Sequence, residues 1–246
     1  MDSTSLAVLL IVFGATFFRS LFGFGEALVS VPLLALYLPV SVATPVAVLL
    51  SISVAAFVVV QDWKKVHLRS AAGLFVATLF GIPLGLLLLT SSHQMTVKIT
   101  LALFLIAFSV YGLAVRRLPA LKRGGNAVLV LCGFLAGIFG GAYGMNGPPL
   151  VIYGAMRGWN PQQFRATLQG YFLMASSVGI LSYWLAGLWT PVVTRYYLIS
   201  LPVLVPAILL GRWANHSLKG HVFLRFAYVV LMLIGSLLLV RTLVAR

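Results

Sequence analysis

The sequence predicts an all-α polytopic membrane protein built from two related halves. Of its 246 residues, 61% are hydrophobic and only 8% are charged, whereas a soluble domain carries about 25% charged residues. Apolar runs recur along the chain, each near the ~20 residues that a helix needs to cross a bilayer. Two of these runs, residues 19–32 and 137–153, are interrupted by glycine and proline, which break helices. Irregular backbone at hydrophobic depth is tolerated inside protein or beside a cavity, and it is typical of transporter binding sites.

The first half begins with a long apolar stretch, residues 6–38, that contains two charged residues and a pair of glycines. A continuous helix of this length would extend roughly 50 Å, against a hydrocarbon core of about 30 Å. The stretch must therefore break or fold back on itself. Three spans follow, over residues 44–60, 71–90 and 97–115. The first is expected to start at Thr44 and Pro45, with threonine as the cap and proline at the first helical position.

The second half repeats this order, with a broken stretch over 126–156 and spans over 161–184, 196–211 and 222–240. Gly25 corresponds to Gly147 and Thr44 to Thr167, at offsets of 122 and 123 residues, which indicates an internal duplication. We predict two inverted-topology repeats, residues 1–118 and 126–246, joined by a basic cytoplasmic linker, residues 119–125. Each repeat comprises a broken helix or hairpin plus three transmembrane helices. The prediction amounts to eight spans plus two broken or re-entrant segments, with up to ten crossings.

Loop charges favour this topology. If each broken stretch doubles back, twelve Lys and Arg residues lie on one side of the membrane and four on the other. If each broken stretch crosses once, the division is ten against six. Since cytoplasmic loops carry the excess of Lys and Arg, the first arrangement is preferred, with both termini outside.

Two ionisable residues lie inside the first broken stretch. Burying Glu26 unpaired would cost several kcal/mol and would favour its neutral form, so it is a candidate functional and proton-coupling residue. The alternative is a structural carboxyl that only ties the broken helix. Arg19 lies one or two helical turns before Glu26, where it has three readings: a partner of Glu26, a contact for an anion, or a side chain that reaches to the interface.

The second broken stretch adds uncharged polar groups. Asn146 and the backbone amides around it offer hydrogen-bond donors, and helix N-termini at the breaks provide partial positive charge for an anion. Thr44 and Thr167 are candidate site residues or plain helix caps. The full set of candidate substrate-binding residues is Gly23, Gly25, Glu26, Thr44, Gly144, Met145, Asn146, Gly147, Thr167 and Gln169.

Several function classes are disfavoured. The net charge of +14 comes from short loops between apolar runs, as in membrane proteins, and it does not indicate nucleic-acid binding. The single cysteine, Cys132, rules out an intrachain disulfide, and no metal-ligand spacing or cofactor motif is present. Known catalytic motifs such as HExxH and GxSxG are also missing, which argues against an enzyme. An anion channel stays open as the alternative to a carrier.

The paired motifs resemble those of the TauE/SafE family of sulfite exporter-like permeases. They are GFGEALVSVPLL with LPVSVATP in the first half, and GGAYGMNGPPLVIY with NPQQFRATLQGYF in the second. The closing segments LLGRW and FRFAYVVLMLIGSLLLV are similar to that family as well. Glu26 stands where the family often has a small residue, which marks it as a candidate for specificity or proton coupling in a subgroup.

The resemblance implies a multi-pass carrier of the bacterial inner membrane for sulfite, sulfoacetate or other sulfonate and carboxylate anions. The hypothesis is a secondary transporter that works by alternating access between the two halves, with its site at the two breaks near the bilayer midplane. Its expected partners are the small anion, the lipid bilayer and protons as coupling ion, without a cofactor. A homodimer is left open, as is the direction of transport.

Overall fold

A computed structural model of the chain describes residues 3–62, 68–91, 93–115, 126–159, 161–217 and 220–244. These residues form ten α-helices and no strand. The helices are α1 (Ser3–Phe22), α2 (Glu26–Leu34), α3 (Val40–Asp62), α4 (Leu68–Leu89), α5 (Gln94–Ala114), α6 (Asn126–Tyr143), α7 (Gly147–Met156), α8 (Pro161–Leu185), α9 (Pro191–Ser217) and α10 (Gly220–Val244). The predicted linker, residues 119–125, lies outside the described residues.

Six helices in the described ranges are long and apolar enough to cross a membrane, namely α1, α3, α4, α5, α6 and α9. Within α10, Tyr228–Val244 forms a shorter apolar segment. The 25-residue α8 is less apolar because it carries Arg165, three glutamines and three serines. The predicted all-helical, multi-pass membrane class is therefore confirmed, with six spans by length and composition where eight were expected.

Glycines separate α1 from α2. Gly23 and Gly25 have φ angles of 84° and 96°, a conformation that residues with a Cβ rarely adopt. The Gly23 N–H donates to the Arg19 carbonyl oxygen at 2.6 Å and so closes the last turn of α1. The short helix α2 then starts separately at Glu26.

The connection between α6 and α7 combines a glycine with prolines. Gly144 has a φ of 67°, and its N–H and that of Met145 donate back to carbonyl groups of α6 at 2.8 and 3.1 Å. Pro148 and Pro149 lie in the first turn of α7, where a missing N–H leaves no helical hydrogen bond unmade. The paired prolines therefore start a helix here, and the break itself is residues 144–146.

The predicted start of α3 at Thr44 and Pro45 is wrong. The helix begins at Val40, directly after Pro39, whose carbonyl oxygen accepts the N–H groups of Val42 and Ala43 at 2.9 Å. Pro45 lies inside the helix. The proline at the start of α3 is thus Pro39, which corresponds to Pro161 at the start of α8 in the second half.

The main helix contacts join the two halves of the chain. α4 packs on α6, α1 on α9, α5 on α10, and α3 on α8. The α4–α6 contact is held by facing glycines, since an ideal Cβ on Gly81 would lie 2.9 Å from the Gly137 Cα, and one on Gly85 would lie 2.9 Å from the Gly141 Cα. The spacing of Gly81 and Gly85 by four residues is typical of such close packing. The long helices thereby hold α2 and α7 in the interior.

Candidate functional site

The two helix breaks lie beside each other. An ideal Cβ on Gly144 would lie 2.8 Å from Val48 Cγ2 and 3.7 Å from Ala27 Cβ, so the α6–α7 connection contacts both α2 and α3. A small cavity of about 20 Å³ lies at this junction, with room for about one water molecule. Its lining includes Gly25, Glu26, Gly144, Met145 and Gly147 from the breaks, together with Arg19, Ser51 and Phe172.

Arg19 joins three helices to α1 at this cavity. Its side chain is only 2% exposed. Nη1 donates to Glu26 Oε2 at 2.6 Å and to the hydroxyl and carbonyl oxygens of Ser51 at 2.6 and 3.1 Å. Nη2 donates to Gln169 Oε1 at 2.7 Å. The guanidinium carbon lies 5.2 Å from the centroid of the Phe172 ring, a cation–π contact. Arg19 therefore lies in the protein interior, bound to α2, α3 and α8.

Glu26 uses both carboxylate oxygens. Oε2 pairs with Arg19, while Oε1 accepts a hydrogen bond from the Thr16 hydroxyl at 3.1 Å. The carboxylate is 3% exposed, so the pair has lost nearly all its hydration. A buried ion pair of this kind is tolerated when further hydrogen bonds satisfy both partners, and removal of one partner costs about 3–5 kcal/mol. The two charges thus hold each other in place.

Gln169 connects the second half of the chain to the first break. While its Oε1 accepts from Arg19, its Nε2 donates to the Gly23 carbonyl oxygen at 2.9 Å. These two contacts fix the orientation of the amide, because the oxygen faces a cation and the nitrogen faces a carbonyl. α8 is thereby tied to α1 and to the α1–α2 break itself.

Hydrogen-bond donors lie beside the cavity. Arg19 Nε is buried and has no hydrogen-bond partner among the described residues. The first-turn N–H groups of α2 have no partner within their own helix, and Gly25 offers no side-chain cap. A cationic group and the positive end of a helix together form an environment for an anion. α7 is poorer in donors because two prolines occupy its first turn.

The side chain of Asn146 lies next to the cavity and does not line it. Its Nδ2 donates to the Tyr171 hydroxyl at 3.4 Å, and that hydroxyl also shares a 2.6 Å hydrogen bond with Thr78. An ideal Cβ on Gly140 would overlap the Asn146 amide, so only glycine leaves room for it. Asn146 thus connects the second break to α8, beside the cavity that Arg19 lines.

The two candidate threonines are buried in α3 and α8 and are not part of the cavity lining. The Thr44 hydroxyl has no hydrogen-bond partner in the described part of the chain. Its methyl group lies 3.9 Å from an ideal Cβ on Gly144, which does line the cavity. Thr44 therefore packs behind Gly144 and does not reach the cavity itself.

Sequence reasoning missed four residues at the site. Thr16, Ser51 and Phe172 contact Arg19 or Glu26, and Tyr171 contacts Asn146. Two of them carried a weak signal. Ser51 follows Thr44 by seven residues, or two helical turns on one face, and Phe172 follows Gln169 by three. A lone hydroxyl or phenyl group in an apolar helix has no distinctive spacing of its own. The other two could be recognised only from their contacts.

The donors at this site suit an oxyanion better than a metal ion. N–H and O–H groups predominate, with a single carboxylate that is already paired. Across the residues that the structure describes, no three His, Cys, Asp or Glu side chains come together as metal ligands.

Comparison with known proteins identifies a family and a relative. A family model described as "Sulfite exporter TauE/SafE" matches residues 8–238. A curated protein named "Probable sulfite/organosulfonate exporter TauE", from Cupriavidus necator, is 28% identical over 231 residues, which cover 91% of this chain and 89% of the relative. No solved structure matches the chain.

Proposed function

The chain belongs to the sulfite exporter TauE/SafE family, and from that membership we propose that it is a secondary carrier of small sulfur-containing anions. The name of the relative specifies sulfite and organosulfonates, so the proposed substrates are sulfite, sulfoacetate and other sulfonates or carboxylates. Export is the direction in the names of the family and the relative. An inside-negative membrane potential would favour export of an uncoupled anion by about 2.3 kcal/mol per charge per 100 mV, whereas co-transport of one proton would make the movement of a monoanion electroneutral. The relative is bacterial, which supports a place in the bacterial inner membrane.

One observation supports the anion site most directly. A buried arginine lies where the two helix breaks meet. Its Nε has no hydrogen-bond partner in the described ranges, and the N-terminus of α2 lies beside the same cavity. Arg19 would bind the oxyanion group, and the first-turn amides of α2 would add hydrogen bonds. Ser51 and Gln169 would keep the guanidinium oriented. At about 20 Å³, the cavity is smaller than any of the proposed substrates, so binding requires the two breaks to move apart.

Alternating access between inverted repeats would supply that motion. Each half has one long helix, one short helix and three long helices, in the same order. If helices α1–α5 are exchanged in order with α6–α10, the α4–α6 contact becomes the α9–α1 contact. The α3–α8 and α5–α10 contacts stay the same. This pattern is what a pseudo-two-fold relation between repeats produces. A rocking motion of one half against the other would expose the site to each side of the membrane in turn.

Glu26 is the proposed coupling residue. We expect it to be ionised while it pairs with Arg19 and neutral while a substrate anion is bound nearby, because two negative charges at one cation repel each other. Such a site would move a proton together with the anion.

The proposal is tested by flux of radiolabelled sulfite, sulfoacetate and methanesulfonate in proteoliposomes, with and without a pH gradient. Flux by the parent should saturate with concentration at low turnover, as expected for a carrier, whereas a large single-channel conductance would indicate an anion channel. A parent protein that moves none of these anions would overturn the proposed function.

A charge-neutral double variant, Arg19→Gln with Glu26→Gln, tests the assignment of the site. Removing both charges avoids an unpaired buried ion, so the protein is expected to fold but not to transport. Arg241→Gln, at an exposed arginine in the last turn of α10, is the matched control. Parent-like flux in the double variant would remove Arg19 from the binding site.

A further inference from the structure

The Glu26 carboxylate has the geometry of an oxyanion bound to the site. Its oxygen lies 2.6 Å from Arg19 Nη1, and the carboxylate belongs to the first residue of α2, at the positive end of that helix. A sulfonate or sulfite group would bind the same guanidinium, beside the N-terminal amides of α2. The carboxylate and the substrate therefore compete for one position.

Resting on the proposed function, we propose that Glu26 is a tethered stand-in for the substrate, and that the site accepts a monoanion together with one proton. When the anion binds Arg19, Glu26 leaves the guanidinium and takes up one proton from the aqueous phase to become a neutral carboxyl. No covalent bond of the substrate changes. The site is neutral before and after, since one negative charge replaces another.

Charge balance selects the class of substrate. Within the described residues, Arg19 on α1 is the charged group in contact with Glu26. From the other elements around α2, α3 presents the Ser51 hydroxyl and the α6–α7 connection presents Gly144 and Met145. α5 and α10, which pack on α2, provide no titratable contact to Glu26 in the described part of the chain. A dianion such as sulfate or sulfoacetate would therefore leave an uncompensated charge in the interior, whereas a monoanion such as hydrogensulfite or methanesulfonate would not. The proposed substrates thus narrow to monoanions.

Three features of the structure are consistent with displacement of the Glu26 carboxylate from Arg19 by the substrate anion. Arg19 Nε has no partner among the described residues, so the guanidinium can still accept a ligand while it is paired. The Ser51 and Gln169 contacts would hold Arg19 in place after Glu26 leaves. Glu26 belongs to the nine-residue helix α2, which two glycines at positive φ separate from α1.

The decisive experiment is calorimetric binding of methanesulfonate, a permanent monoanion, and of sulfate, a dianion, to the protein in nanodiscs. Titrations in buffers of different ionisation enthalpy measure proton uptake. The parent should take up about one proton per methanesulfonate bound and should bind sulfate poorly. In Glu26→Gln, proton uptake should vanish, and methanesulfonate should bind roughly tenfold more tightly at pH 8, because the competing carboxylate no longer occupies Arg19.

Glu26→Asp provides a second variant that keeps the acid but shortens it by one methylene. It should retain proton uptake, with an affinity between those of the parent and Glu26→Gln. Asp62→Asn, which removes an acid at the end of α3, serves as the control and should match the parent.

The outcomes separate this inference from the proposed function. Methanesulfonate binding by the parent without proton uptake, or equal affinity for sulfate, would overturn the stand-in role while the carrier assignment stands. If the parent neither binds nor transports any sulfur anion, both proposals fail.

Discussion

Arginine suits position 19 because its planar guanidinium can address several acceptors at once. Its two terminal nitrogens bind Glu26, Ser51 and Gln169. Nε has no partner among the described residues and is therefore available to a ligand. A lysine ammonium carries the same charge but offers three donors around one point. The geometry, as well as the charge, should therefore matter at this position.

Arg19→Lys tests this distinction. We expect folded protein whose flux falls by roughly tenfold or more, since losing one charge-assisted hydrogen bond costs about 1.5–3 kcal/mol. The measurement is methanesulfonate flux in proteoliposomes, normalised to folded protein, with Arg241→Lys as the control. Equal flux in Arg19→Lys and the parent would show that charge alone is sufficient.

Asn146→Leu probes the second break. We expect transport to be lost with little loss of folded protein, because the substitution keeps the side-chain volume but removes the donor to Tyr171. Tyr171→Phe, which removes the hydroxyl that accepts this hydrogen bond, should also reduce flux. Gel filtration would report folding and flux would report function. Wild-type transport by Asn146→Leu would leave the residue with a structural role.

At this scale the sequence identifies charged residues better than their surroundings. Arg19 and Glu26 can be singled out because ionisable groups are rare in apolar stretches. Their mutual pairing was one of several alternatives, since a spacing of seven residues across a break fixes no distance. Gln169 is 150 residues away from Arg19, and no local pattern indicates that the two side chains meet.

At the level of helices, glycine and proline have different consequences in the two breaks. Positive φ at Gly23, Gly25 and Gly144 makes the interruptions, while Pro148 and Pro149 begin α7. The sequence therefore predicts where regular helix stops, but it misplaces the start of α3, because both Pro39 and Pro45 are compatible with a first turn. Only the contacts of the following residues distinguish them.

The α4–α6 contact gives a prediction for helix packing. Gly85→Ala should destabilise the fold by about 1–3 kcal/mol, since the added methyl would overlap the Ile138 carbonyl oxygen and lie 2.6 Å from the Ala142 nitrogen. Gly14→Ala is the matched control, because an ideal Cβ there meets nothing within 4 Å. Alanine also favours the helix by up to about 1 kcal/mol.

Thermal unfolding in detergent compares these two variants. The midpoint should fall for Gly85→Ala and stay level or rise for Gly14→Ala. If both variants unfold at the parent temperature, the α4–α6 contact is looser than the glycine spacing indicates.

For the whole molecule, the positive-inside distribution predicts orientation. Arg123 and Lys219, which lie outside the described residues, are expected to face the cytoplasm, and both termini are expected to face outward. A reporter that is active only in the cytoplasm, fused after Arg246, should therefore give little signal. The same reporter fused after Arg123 is the positive control. Strong activity of the fusion after Arg246 would exclude the inverted arrangement.

The class of fold can be predicted from the sequence because membrane helices are recognised by their length and apolar composition. The pairing of those helices cannot, since lipid-facing and protein-facing sides are both apolar and hydrophobic periodicity is weak. Order along the chain indicated the duplication. Contact between α1 and α9 or between α4 and α6 required the structure.

The local pairing of Arg19 with Glu26 also bears on how the chain is made. α1 packs on α9, which begins at Pro191, so at about 5–20 residues per second the partner helix is synthesised roughly ten to thirty seconds later. Gln169 likewise reaches the ribosome exit long after α1. Glu26, in contrast, follows Arg19 by seven residues and can neutralise it while both are still near the insertion machinery. The Arg19–Glu26 ion pair would thus also allow the first helix to enter the bilayer without an unpaired charge.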